Sequence, residues 1–212
     1  MKKTIALGML LAFALIALPV WAIEGTTTVK TSDLLSLANR KTYGLGLRLS
    51  MIAPTRDILV SKDSTFDFGL EFDAKLNENL DTGPRFGVCS FKNNQGAALN
   101  ATYTVIRFGY GARIYVLSWG EYTSSHGPLN AYLAGEANYY TANKANEVTL
   151  NSPSSFAGFG GNVGAGLEMA FGPNTRVFAQ VDYSRTSIKD SNSNSLPLDG
   201  YILAAGTRLA FF

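Results

Sequence analysis

From residue 65 to residue 76 the chain alternates without a fault. Phe66, Phe68, Leu70, Phe72, Ala74 and Leu76 share one phase; Thr65, Asp67, Gly69, Glu71, Asp73 and Lys75 share the other. A period of two puts these sets on opposite faces of a β-strand, one apolar and one charged. The pattern recurs along the chain. In 42–51, Tyr43, Leu45, Leu47, Leu49 and Met51 oppose Gly44, Gly46, Arg48 and Ser50. In 85–91, Phe86 and Val88 oppose Arg85, Gly87 and Cys89. In 104–116, Ile106, Phe108, Tyr110, Ala112, Ile114 and Val116 oppose Arg107, Gly109, Gly111 and Arg113. In 129–140, Leu129, Ala131, Leu133, Ala137 and Tyr139 oppose Glu136 and Asn138. In 158–171, Phe159, Val163, Ala165, Leu167, Met169 and Phe171 oppose Asn162, Glu168 and several glycines. In 176–184, Val177, Ala179, Val181 and Tyr183 oppose Gln180, Asp182 and Ser184. In 201–212, Tyr201, Leu203, Ala205, Leu209 and Phe211 oppose Gly206, Arg208 and Ala210.

The count is eight segments, each about 9 to 13 residues, the length of a tilted strand that crosses a bilayer. Long polar connections fall at 53–64, 92–101, 143–156 and 186–198, shorter ones at 77–84 and 172–174, and one of medium length at 118–128. Short turns at one end and long loops at the other describe an all-β, eight-stranded, antiparallel up-and-down transmembrane β-barrel.

Alternation also fits a soluble, calycin-like barrel with its faces inverted. Two features of the pattern separate the two. The polar phase is crowded with glycine: Gly44, Gly46, Gly69, Gly109, Gly111, Gly158, Gly160, Gly164 and Gly166. A solvent face has no steric need for these, and glycine weakens a strand. A narrow lumen does need them, as room for long side chains from the opposite wall. Aromatic residues also gather near strand ends. Tyr43, Phe86, Phe171 and Phe211 mark one end, and Phe66, Phe68, Tyr139, Phe159, Tyr183 and Tyr201 the other. Two aromatic belts are expected at membrane interfaces.

Composition sharpens this picture. Residues 1–22 carry Lys2 and Lys3, an apolar run from Ile5 to Val20, and a small-residue site ending at Ala22. That is the build of a secretory signal peptide. Removing those two lysines brings 18 bases down to 16 against 16 acids, so no basic nucleic-acid-binding surface is expected. Cys89 is the single cysteine, so no internal disulfide can form. The 23–41 segment is expected as a periplasmic lead-in, with a short helix capped by Ser32 or Asp33 and carrying Leu34, Leu35, Leu37 and Ala38. Residues 42–212 form the barrel.

The leader, the eight alternating segments, the long–short loop pattern and the Phe211-Phe212 ending together resemble the small outer-membrane β-barrels, the group of the OmpA membrane domain and OmpX. The resemblance covers nearly the whole mature chain and is architectural. It implies residence in the outer membrane of a Gram-negative-type bacterium, a monomer, and contact with the barrel-assembly machinery during insertion. In that group the terminal Phe lies in phase with the last strand's apolar residues; here Phe211 is in phase and Phe212 is not.

The inward phase would hold Arg48, Lys75, Arg107, Arg113 and Arg208 against Asp67, Glu71, Asp73, Glu136, Glu168 and Asp182. Near balance predicts a cross-linked lumen rather than an ion filter of one sign. The expected lumen charge network is Arg48, Glu71, Arg107, Arg113, Glu136, Glu168, Asp182 and Arg208. The expected aromatic girdle is Tyr43, Phe66, Tyr139, Phe159, Phe171, Tyr183, Tyr201 and Phe211. Catalysis has thin support. His126 is the only histidine, with Ser124 and Ser125 before it. Glu136 lies ten residues on, about 30 Å along a strand, too far to orient His126 as nucleophilic catalysis requires. Cys89 and His126 are too few for a metal site, and no P-loop or dinucleotide motif is present, so no cofactor is expected. Asn100 heads an acceptor-like triplet that means little in a bacterial outer membrane. The sequence therefore reads as a barrel with a structural or surface-interaction role, in contact with outer-membrane lipid and meeting any extracellular ligand through its loops. The alternatives are a narrow conduit for small solutes and, further off, a lipid A-modifying barrel enzyme.

Overall fold

A computed structural model describes residues 43–54, 65–77, 79–93, 101–119, 128–144, 155–171, 174–189, 193 and 198–211. The leader, the 23–41 segment, Ser124, Ser125, His126, Asn100, Phe212 and most of the long connections lie outside them. Eight strands appear in order: β1 (Tyr43–Pro54), β2 (Thr65–Asn77), β3 (Leu80–Asn93), β4 (Ala101–Trp119), β5 (Leu129–Lys144), β6 (Ser155–Ala170), β7 (Thr175–Lys189) and β8 (Gly200–Phe211). Each pairs antiparallel with its sequence neighbours, and β8 closes on β1 to complete the barrel.

Closure carries a stagger. Hydrogen-bonded partners followed once around from Tyr43 pass through Ala74, Thr82, Ala112, Gly135, Val163, Tyr183 and Tyr201. They return to β1 at Ala53, ten residues further along. A stagger of that size tilts the strands, and eight tilted strands enclose a space just wide enough for side chains.

The faces are decided by burial. Phe68 and Leu133 are each 51% exposed, whereas Arg48 is 2% exposed. Leu47, Phe108, Ile114, Val163, Leu167 and Leu209 are likewise exposed on the outer wall. Such a continuous apolar surface belongs against lipid.

Two turns at the same end are tight. Asn77 Oδ1 accepts from Asn79 N–H at 2.9 Å, closing the β2–β3 hairpin. Phe171 N–H donates to Thr175 O at 2.8 Å between β6 and β7. The first of these corrects the reading of 77–84 as a connection: β3 begins at Leu80. Gly83 and Pro84 look like punctuation in sequence, yet Gly83 pairs with Gly111 and Pro84 with Tyr110 in the β4 ladder. Phe86 is consequently mid-strand, packed edge-on against Phe108 with centroids 5.0 Å apart, and does not mark a strand end.

Candidate functional site

The inward phase of all eight strands converges on the lumen. β1 contributes Arg48, β2 contributes Asp67, Glu71 and Asp73, and β3 contributes Asp81 and Arg85; all are buried. β4 adds Arg107 and Arg113, β6 Glu168, β7 Arg176 and Asp182, and β8 Arg208, again buried. Glu136 of β5 has a side chain 5% exposed.

These groups form one connected chain of ion pairs. Arg107 holds Asp67 (2.9 Å) and Glu136 (3.1 Å). Arg48 reaches Glu136 (2.6 Å), Asp182 (2.8 Å) and Glu71 (3.6 Å). Arg113 bonds Glu71 and, at 2.8 Å, Asp73. Asp73 also takes Arg85, and Arg208 Nε lies 3.1 Å from it. Arg208 continues to Asp81 (3.3 Å) and Glu168 (3.1 Å), and Glu168 ends the chain on Arg176 (2.7 Å). Six arginines thus meet seven carboxylates, which suits charges held away from bulk water. Aromatic groups thread the same space. The Tyr115 hydroxyl lies between Asp81 (3.1 Å) and Glu168 (3.2 Å). The Arg113 guanidinium packs over the rings of Tyr132 and Phe178, 5.3 and 4.9 Å from their centroids.

All eight residues of the expected charge network sit in this chain, although Arg113 meets Glu168 only through Asp73 and Arg208. Five members were not in that set: Asp67, Asp73, Asp81, Arg85 and Arg176. Strand parity already places Arg85 and Arg176 in the charged phases of 85–91 and 176–184, and would have found Asp81 had β3 been started from its true end. Glycines make room. A Cβ at Gly109 would land on Asn138 Oδ1, and one at Gly164 on Asp182 Oδ1.

Toward the long connections the lumen changes character. Cys89, Tyr103, Val105, Tyr140, Ala142, Phe156, Ile188 and Leu198 pack as an apolar cluster, with Ile52 against it. Sequence reading missed this cluster, because it lies in the phase that the charges occupy elsewhere. Leu198 comes from the connection before β8 and is pinned. Its N–H donates to Thr186 Oγ1 at 2.9 Å, and Thr186 N–H donates to Asp199 Oδ1 at 2.7 Å. Between plug and ion chain is a cavity of about 20 Å³, lined by Asp67, Arg107, Ser184 and the underside of the plug. That is room for roughly one water and for no larger ligand.

Four donors converge on Glu136: Arg48 Nη1, Arg107 Nη1, Asn162 Nδ2 (3.1 Å) and Asn138 Nδ2 (3.4 Å). Its two oxygens are thereby occupied inside the lumen.

On the outer wall, Tyr43, Phe72 and Phe211 form a three-ring group at the short-turn end, with centroids 5.9 to 6.5 Å apart. Phe171 stands at the same end, just past β6 and half-buried. In the half nearer the long connections, Tyr139 packs on Phe159 (5.1 Å) and Tyr183 on Tyr201 (5.5 Å), while Phe66 is exposed at the head of β2.

Residues 9–211 match the family model described as outer membrane protein beta-barrel domain. Among solved structures the chain is similar to Neisserial surface protein A at 17% identity, covering 80% of this chain and 97% of that one with a TM-score of 0.54. It is similar to the outer membrane protein OprG of Pseudomonas aeruginosa at 13% identity, covering 82% and 98%, TM-score 0.51. It is also similar to Ail, the attachment invasion locus protein of Yersinia pestis, at 15% identity, covering 80% and 97%, TM-score 0.46. At these identities the likeness is one of fold. No curated protein is similar enough in sequence to count as a match.

Proposed function

Because this chain belongs to the outer membrane protein β-barrel family, we propose that it serves as a sealed, monomeric barrel that presents its long connections at the cell surface. It resides in the outer membrane of a Gram-negative-type cell. In this reading residues 1–22 are an export leader, 23–41 a periplasmic lead-in and 42–212 the membrane domain. The barrel-assembly machinery inserts it, and the two groups of outward rings anchor it at the membrane interfaces. Its role is structural or adhesive, and any extracellular ligand meets the connections around 53–64, 92–101, 143–156 and 186–198.

One observation supports the reading: among the described residues the lumen holds the arginine–carboxylate chain below and the apolar plug around Leu198 above. A conduit needs a continuous wet path, and the cavity of about 20 Å³ beneath the plug has room for roughly one water. In this reading Glu136, bonded to four lumen donors, serves as a structural anion. Reconstitution in a planar bilayer is the test. A silent bilayer at moderate voltage is expected, with conductance appearing when Leu198 and Ile188 are both replaced by serine. A steady open channel from the unaltered protein would overturn the sealed-barrel reading.

A further inference from the structure

Every carboxylate on the described strands points into the lumen, from Asp67 to Asp182. Among the side chains whose exposure is described, the exposed charged ones on the outer wall are Arg185 and Lys189. Both lie on the outward phase of β7, in the half nearer the long connections. They are four residue steps apart along the strand, about 13 Å. Neither makes an ion pair among the described residues. Asp199, the acid close by, is 4% exposed and directs its carboxylate to the Thr186 N–H and hydroxyl.

Their surroundings place them at the membrane boundary. Tyr183, two residues before Arg185 on the same face, packs edge-on against Tyr201. Phe159 on β6, 72% exposed, pairs in register with Ser187, between the two cations. Arg185 pairs with Gly161, whose missing side chain leaves the guanidinium free to lie along the wall. Below this level the outer face of β7 is apolar through Val181 and Ala179. Two cations with no anionic partner among the described residues, at the upper edge of an apolar band, are electrostatically complementary to an anionic headgroup layer.

We propose that this face of β7 docks the phosphorylated headgroup of an outer-leaflet lipid, with Arg185 and Lys189 each taking one phosphate and Tyr183, Tyr201 and Phe159 holding the adjoining acyl chains. The spacing of the cations suits a headgroup with phosphates at the two ends of a short sugar better than one with a single phosphate. Arginine supplies a bidentate fork and lysine a point charge. The proposal rests on the barrel's place in the outer membrane, and the surface-presentation role stands apart from it.

The test uses the full chain folded into neutral phosphatidylcholine nanodiscs doped with diphosphoryl lipid A, monophosphoryl lipid A or phosphatidylglycerol, followed by native mass spectrometry of the lipid retained. Diphosphoryl lipid A is expected to be retained most strongly. Retention should fall about tenfold in Arg185→Gln/Lys189→Gln, and further with added salt. Arg185→Lys/Lys189→Arg, which keeps both charges, should retain the lipid and shows that the face tolerates substitution. Equal retention by the wild type and the glutamine variant, both folded and inserted, would overturn the proposal while leaving the barrel reading intact. Loss of the lipid to millimolar inorganic phosphate would overturn it too, as a simple phosphate site.

Discussion

Arg48 stands where the ion chain branches, with Glu136, Asp182 and Glu71 all within reach of its guanidinium. Removing one partner of a buried pair leaves the others as unpaired charges. Arg48→Met leaves Asp182 without a cationic partner, Glu136 with Arg107 alone and Glu71 with Arg113 alone. A loss of about 3–5 kcal/mol is expected, read as a lowered urea midpoint in lipid vesicles. An unchanged midpoint would mean that the carboxylates find water or protons at no cost. Glycines give a paired test. A side chain at Gly109 collides with Asn138 and the Ala137 carbonyl, whereas at Gly135, on the outer wall, it meets nothing within 4 Å. Gly109→Ala should cost about 1–3 kcal/mol by the same measurement. Gly135→Ala should be neutral or slightly stabilising. Equal effects at the two positions would contradict the assignment of faces.

At the scale of the strand, period two fixes which side chains share a face but not which face meets lipid. β2 is the clearest case, since Leu70 and Glu71 are neighbours in sequence and opposite in environment, 38% and 1% exposed. Leu70→Arg places a charge on the lipid side midway along β2. It is expected to destabilise the folded barrel by about 2–4 kcal/mol in bilayers. A milder effect in a short-chain detergent would be consistent; no effect in bilayers would not. The strands also show where local signals misled. The Gly83-Pro84 pair hid the first half of β3 and with it Asp81. Pairing with β4 overrides that punctuation, because each strand in a closed barrel satisfies its backbone against two neighbours. Arg176 was overlooked because it opens β7, where alternation has only begun. Val105 and Ile202 were legible as inward by parity, Ile188 fell in the stretch read as the 186–198 connection, and nothing in the sequence placed the three beside one another.

At the scale of the molecule, the barrel has two unlike ends. The start of β1, the end of β8 and the two tight hairpins gather at one, and the strand ends that lead into the long connections at the other. Epitope insertions at 148–152 and at 193–196 are therefore expected to be stained by antibody on intact cells. An insertion at Gly172-Pro173 should be stained only after the outer membrane is opened. The reverse pattern would invert the orientation. What the sequence determined alone was the local part: eight strands, an apolar face and a charged one, near-equal charge inside, and rings toward strand ends. Those follow from alternation, which each segment carries within itself. Tertiary structure alone decided heights around the wall. The ten-residue stagger brings Arg48 of β1 level with Glu136 of β5, and it gathers residues of six strands and a connection into the apolar plug. Register between strands far apart in sequence sets those heights, and no window of the chain contains it.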